Sequence, residues 1–367
     1  MTDIHGSVAP GYEPLRDAFA ANFIERGEYG ASVALVKDGV LVVSLWGGHA
    51  DETGRPWERD TLVNIWSTTK GVTAICFAML MSRGLIDYDR PVADYWPDFA
   101  AHGKSDVTVS MLLSHQAGLT GFREPALLAD LYDAPSAAAR LAAAEPFWIP
   151  GTQSGYHAIS VGLLANELFS RVEGRSLRQF IAEELSSFDI SIGLPTAREA
   201  RAAVMRAPSD LSSAPAEQEL SPAQVAALAN PLLDPVLPNG AEWRAAEIPS
   251  ANGFAAAEGL ARLYGAFVGG GLVDDAALSA ATAVRIEGVD AILGIPMRWA
   301  SGFLVNGMGL YGSNPNSFGH SGWGGSFAFA DPERHFAFAY APNQMGTELA
   351  GDPRAVALID ALERSLA

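Results

Sequence analysis

The sequence predicts a two-lobed α/β (α+β) fold. An antiparallel sheet built from both chain ends is flanked by helices, and a mostly helical part is inserted between them. Three observations carry this expectation. Strand-like, β-branched and aromatic runs lie near both ends of the 367 residues, at 31–48 and 297–342. The middle, from about 120 to 285, is alanine-rich and helical in pattern. Strands at both ends with helices between them are the pattern of one sheet assembled from both termini. The expected division is 1–66 with 286–367 for the sheet part, and 67–285 for the helical part.

Taken in order, residues 14–27 read as an amphipathic helix. "ASVALVKDGVLVVSLWGG" is two apolar runs joined at Asp38-Gly39, a strong hairpin signal. "GVTAICFAMLMSRG" is apolar on nearly every helical face, so a buried helix is expected over 68–82, stopped by Gly84. Pro91, Trp96 and Pro97 mark an irregular stretch, and "VTVSMLLSHQAGL" a short helix ended by Gly118. Pro and Gly break the helical middle at 150–151, 195, 208, 231–240 and 249–253. "PSDLSSAPAEQELSP", residues 208–222, reads as an exposed loop. "MRWASGFLV", "SFAFAD" and "HFAFAYAP" are strands with aromatic and small residues alternating, and Asp331-Pro332-Glu333 turns between two of them. "DPRAVALIDALERSLA" is an amphipathic helix suited to covering the sheet. No internal repeat is visible.

Composition narrows the function. A net charge of −18 argues against nucleic acid and anionic membrane surfaces as partners. The single cysteine, Cys76, lies in the buried helix, so no intramolecular disulfide forms and packing is its expected role. The first residues show no secretion signal and no stretch is apolar enough to span a membrane, which makes the cytoplasm the expected compartment.

The chemistry begins at "NIWSTTKG", residues 64–71. The chain has three lysines, and only Lys70 has a serine, Ser67, three residues before it. Residues three apart share a helix face, so the amine can reach the hydroxyl. A lysine desolvated at the start of a buried helix loses its proton more easily. A neutral amine beside a serine hydroxyl is an activated nucleophile. The plainer alternative is that Ser67 only caps the helix while Lys70 reaches the surface.

Two further stretches stand out. "PGTQSGYHAIS" places Tyr156 in a loop ahead of an apolar helix, where it is either a general acid–base or a packed tyrosine. As an acid–base, its phenol is expected to be lowered by a cation such as Lys70. "FGHSGWGGSF" carries four glycines around His320, Ser321 and Trp323, a mark of close approach or of a tight edge turn. Gly-x-Ser-x-Gly, His-Glu-x-x-His and paired cysteines are missing from the sequence, and no Gly-x-Gly-x-x-Gly stands between a strand and a helix. Neither a nucleophile elbow, a metal site nor a dinucleotide cofactor is therefore signalled. The remaining histidines, His115 and His157 among them, read as structural or solvated.

In this order, "STTK", "GY" and "HSG" resemble the three motifs of the serine β-lactamase and penicillin-binding-protein superfamily. The resemblance is to the class C β-lactamase-like branch, nearest the family VIII carboxylesterases. "GLIDYDRPVADYWP", "VTVSMLLSHQAGL", "IPGTQSGYHAISVGLL" and "GHSGWGGSFAFADPE" resemble the same branch, over about residues 25–345. The resemblance implies a β-lactamase-like fold with Ser67 as nucleophile, Lys70 as its amine base and Tyr156 as proton relay. It also implies that His320, Ser321 and Gly322 form a substrate-binding strand. The backbone N–H groups of Ser67 and Trp323 would make the oxyanion hole. Two positions depart from the family's lactamases: His320 stands where lysine is usual, and Ala158 where asparagine is usual. Both changes, with bulky Trp323 beside the oxyanion donor, point from anionic β-lactams toward neutral esters.

The expectation is a serine hydrolase, a carboxylesterase, that cleaves short-chain carboxylic esters through an acyl-Ser67 intermediate. Its partner is a small-molecule ester, and no cofactor or metal is implied. Alternatives are an acyltransferase, an amidase or D-peptidase using the same acyl-enzyme, a β-lactamase, or a covalent sensor without turnover. The motifs leave oligomeric state open.

Overall fold

The computed structural model describes residues 2–209 and 219–366. Residues 210–218 of the expected 208–222 loop lie outside the described residues. Asp38 and Gly39 both take positive φ, 50° and 77°, which suits the twist of the two strands they join, Gly30–Lys37 and Val40–Gly48. These strands belong to a sheet with nine antiparallel strands among the described residues. Its order is Ile4–Val8, Val40–Gly48, Gly30–Lys37, Phe336–Pro342, Phe327–Asp331, Phe318–Ser321, Leu304–Val305, Pro296–Trp299 and Ile286–Val289. The two chain ends meet at its centre, where Phe338 pairs with Leu35 and Tyr340 with Val33.

The alternation in "HFAFAYAP" sorts the two faces. Phe336, Phe338 and Tyr340 point into one buried cluster, with Leu15 and Phe19 of helix Glu13–Glu25 and Leu358 and Leu362 of helix Pro353–Leu366. Ala337, Ala339 and Ala341 point into the other. Their small side chains let helix Ala257–Val268 lie against the sheet. Burying each large apolar side chain contributes about 1.5–3 kcal/mol. This helix falls within the stretch expected to be the inserted helical part.

Helix Thr69–Ser82 is the buried one read from the sequence, with twelve of its fourteen residues buried, Thr69 through Leu80. It runs beside helices Ser160–Glu173 and Asp275–Thr282 and beside strand Phe318–Ser321. A 3₁₀ turn, Trp66–Thr68, precedes it, so Ser67 sits two residues before the α-helix begins. Three parts of the sheets were not read from the sequence: the edge strands Ile4–Val8 and Ile286–Val289, and a small sheet of Val63–Asn64, Gly253–Ala255 and Ser191–Ile192. Each is short or glycine-bearing, without a clear two-residue alternation. Among the described residues, no helix is long and apolar enough to cross a membrane.

Candidate active site

The residue before the serine is strained. Trp66 adopts φ 45°, the left-handed region that bulky side chains avoid. Its ring is held by aromatic contacts on both sides, to Trp243 at 5.3 Å and Trp323 at 5.1 Å between centroids. Strain of this kind persists only where the surroundings over-determine it.

Lys70 Nζ lies 3.0 Å from Ser67 Oγ, 2.7 Å from the carbonyl of Ala158 and 2.9 Å from the carbonyl of Ser250. Its side chain is buried, and burial holds the amine well below the ordinary lysine range. A neutral amine has two N–H bonds and one lone pair. Carbonyls can only accept, so they take the two N–H bonds and leave the lone pair facing the serine hydroxyl. The surface-lysine alternative is thereby excluded: this amine does not reach solvent.

Tyr156 Oη lies 2.7 Å from Ser67 Oγ on the other side. The expectation of a lowered phenol pKa is corrected here. Burial pushes it upward, the hydrogen bond to Ser67 pulls it back in part, and Asp290 adds to the rise. Burial also disfavours the charge on Lys70, the cation that was to lower it. Tyr156 therefore stands as an un-ionised O–H donor.

The loop that carries Tyr156 is fixed by groups that sequence reasoning missed. Buried Asp290 accepts from the Tyr156 amide at 2.9 Å, from the amides of Ile292 and Leu293 at 3.0 Å, and from Trp299 Nε1 at 3.2 Å. The Trp299 ring stacks on Tyr156 at 5.8 Å and 10°. Their only sequence signal was a turn-like "VDAILG" before a strand. His115 and His157, read as structural, are buried beside the same loop. His115 Nδ1 accepts from the His157 amide, and His157 Nε2 from the Leu119 amide. Burial keeps both uncharged, His157 down to about 4 and His115 well below the usual range.

The strand motif is brought close but does not line the site uniformly. Gly322 packs under the 3₁₀ turn, and a Cβ there would meet the Ile65 carbonyl at 2.3 Å, so no larger residue fits. Ser326 Oγ fastens this contact by donating to the Ile65 carbonyl at 2.8 Å, with Thr68 Oγ1 at 3.0 Å. His320 is buried, with its ring 6.2 Å from that of Tyr156. Its Nδ1–H donates to the Ser321 carbonyl at 2.8 Å, which leaves Nε2 as an unpartnered acceptor. Burial first, then Lys70, holds its pKa down to about 3. Ser321 points to the opposite face of the sheet, with its hydroxyl 3.2 Å from that of Tyr311. The strand's alternation forces this, because His320 faces helix Thr69–Ser82. Ser67, Tyr156, Ala158 and Trp323 line a cleft of about 310 Å³, whereas His320, Ser321 and Gly322 do not. The backbone amides of Ser67 and Trp323 make no backbone hydrogen bond among the described residues.

Among the described residues no group of His, Cys, Asp and Glu is placed to hold a metal. The nearby Arg354 is buried and turned inward, paired with Asp352 at 2.7 Å and Glu28 at 3.2 Å.

Comparison with known proteins identifies the family. Residues 15–361 match the Beta-lactamase family. The chain is 36% identical to "Esterase/beta-lactamase LipL" of Mycobacterium tuberculosis, over 93% of this chain and 83% of that protein. A crystal structure of a family VIII carboxylesterase superposes with a TM-score of 0.94 at 45% identity, over 99% of this chain and 100% of that one. A penicillin-binding-protein homologue from Caulobacter crescentus superposes with a TM-score of 0.93 at 43% identity, with the same coverage.

Proposed function

Because the chain belongs to the Beta-lactamase family, we propose that it is a serine hydrolase that cleaves carboxylic esters through an acyl-Ser67 intermediate. The observation that carries this reading is the position of Ser67 Oγ. It lies within hydrogen-bond distance of an amine whose charge burial disfavours, at 3.0 Å, and an un-ionised phenol at 2.7 Å.

The residue roles follow from those protonation states. Ser67 Oγ attacks the ester carbonyl while its proton passes to the Lys70 lone pair. The oxyanion is met by the amides of Ser67 and Trp323, donors typically worth about 3–4 kcal/mol of barrier each. When the C–O bond breaks, the leaving alkoxide takes the Tyr156 proton, and the Lys70 ammonium returns one to the phenolate beside it. Water then repeats the sequence in reverse and frees Ser67. His320, which lines no part of the cleft, is assigned no contact with substrate.

Family VIII carboxylesterase is a relative's description, and three features support ester chemistry here. Burial disfavours a charge on Lys70 and holds the His320 pKa at about 3, and Arg354 is paired internally, so a β-lactam carboxylate meets little positive charge. β-Lactam turnover is accordingly at most weak. Ser67→Ala removes hydrolysis of a chromogenic ester, and Lys70→Ala and Tyr156→Phe each lower kcat by at least ~10². Ester turnover retained by the Ser67 variant would overturn the proposal.

A further inference from the structure

The cleft over Ser67 is walled by aliphatic side chains from separate parts of the chain: Leu131, Ile159, Leu228, Leu232, Leu233 and Leu349. No charged side chain among the described residues lines it. The one side-chain amide in the wall, Asn230, is already committed. It donates to the carbonyls of Phe122 and Glu124 at 2.8 Å and accepts from the Ala126 amide at 2.8 Å. It therefore fastens two walls together and has no N–H left to donate to a ligand. At the mouth, Leu228, Leu232 and Leu349 remain 36%, 73% and 47% exposed. Three partly uncovered leucines on one rim, continuous with a catalytic hydroxyl, are a surface shaped for something apolar.

From this we infer that the cleft takes an alkyl group of about six to eight carbons, carried by the ester that Ser67 attacks. This rests on the acyl-Ser67 reading. The capacity agrees, since a volume of about 310 Å³ holds about ten heavy atoms at roughly 30 Å³ each. The expectation from the sequence was a short-chain ester; the cleft has room for more, and its rim covers carbons that emerge from it. The same alkyl chemistry can arrive on the acyl or on the alcohol side of the ester.

Two substrate series separate the sources: p-nitrophenyl esters from acetate to decanoate, and alkyl acetates of increasing alcohol length. The expected result is a rise in kcat/KM of about three- to fourfold per methylene in one of them, levelling beyond eight carbons. The p-nitrophenyl monoester of adipic acid, with a carboxylate at the chain end, is expected to react at least ~10-fold more slowly than the hexanoate if the acyl chain occupies the cleft. Leu232→Asp and Leu349→Asp, on exposed side chains that tolerate a charge, each reduce the long-to-short ratio in the rising series by at least ~10-fold. A control at exposed Leu85, remote from the cleft, leaves that ratio as in the wild type. Flat or falling profiles in both series, or ratios unmoved by both aspartates, would overturn the inference. If the Ser67→Ala variant is inactive while both series are flat, the alkyl-group inference alone fails. If that variant turns over esters, the acyl-enzyme reading fails first.

Discussion

Lys70 and Tyr156 act on the same oxygen in opposite senses, and burial sets both. It disfavours an ammonium on one side of Ser67 and a phenolate on the other. The sign of the pH response follows. Activity requires the uncharged amine, so it falls as pH drops through the lowered Lys70 value. It also requires the un-ionised phenol, whose value lies above the ordinary 10.0, so no alkaline limb is expected below about pH 10. His320 and His157, held to about 3 and 4, add no step near neutrality. A kcat/KM profile with one acidic limb agrees; a bell centred near neutrality contradicts these protonation states. At this scale the sequence was informative about residue type and spacing. Ser67, Lys70 and Tyr156 could be picked out, because Ser-x-x-Lys is a spacing within one helical turn. The direction of the Tyr156 shift was not legible, since it depends on how completely distant segments cover the ring. Asp290 and Trp299 were missed for the same reason: their contact with Tyr156 spans more than 130 residues of chain.

Among the elements, the 3₁₀ turn that holds Ser67 depends on a neighbour with no side chain. Gly322 lets its strand slide beneath Ile65, and Ser326 locks the two together. Gly322→Ala forces a Cβ against a backbone carbonyl that cannot rotate away. The expected outcome is a loss of about 1–3 kcal/mol in stability, with a larger fall in kcat than in binding. Urea unfolding and steady-state kinetics check it, and unchanged stability would contradict the packing described. The hairpin at Asp38-Gly39 and the buried helix were legible because their patterns are strong and local. Ile4–Val8 was not, because Gly6 interrupts the run and pairing with Val40–Gly48 supplies the order that propensity lacks. Ser321 shows the limit of reading a motif as a block. Neighbouring strand residues face opposite ways, so only alternate positions can approach the nucleophile.

Across the whole molecule, the two chain ends close one sheet, and a buried ionic cluster ties them. Arg354 near the start of the last helix pairs with Asp352 and with Glu28 just beyond the first helix. Its guanidinium also donates to the Gly324 carbonyl at 3.0 Å, in the turn that presents Trp323. Arg354→Met would leave two carboxylates buried without their cation and cost about 3–5 kcal/mol. A loss below about 1 kcal/mol by urea denaturation would mean that the cluster is not a tie. The two-ended sheet could be anticipated from where strand-like runs lie along the chain. This cluster could not, because nothing in sequence spacing brings residue 28 beside residue 354.

The account turns on Ser67 being the group that is acylated. The most direct measurement is mass spectrometry of the intact protein and its peptides after reaction with a fluorophosphonate. The predicted result is a single adduct on the peptide containing Ser67, absent in Ser67→Ala and strongly slowed in Lys70→Ala. An adduct on a different serine, or labelling as fast without the Lys70 amine as with it, would contradict the mechanism at its root.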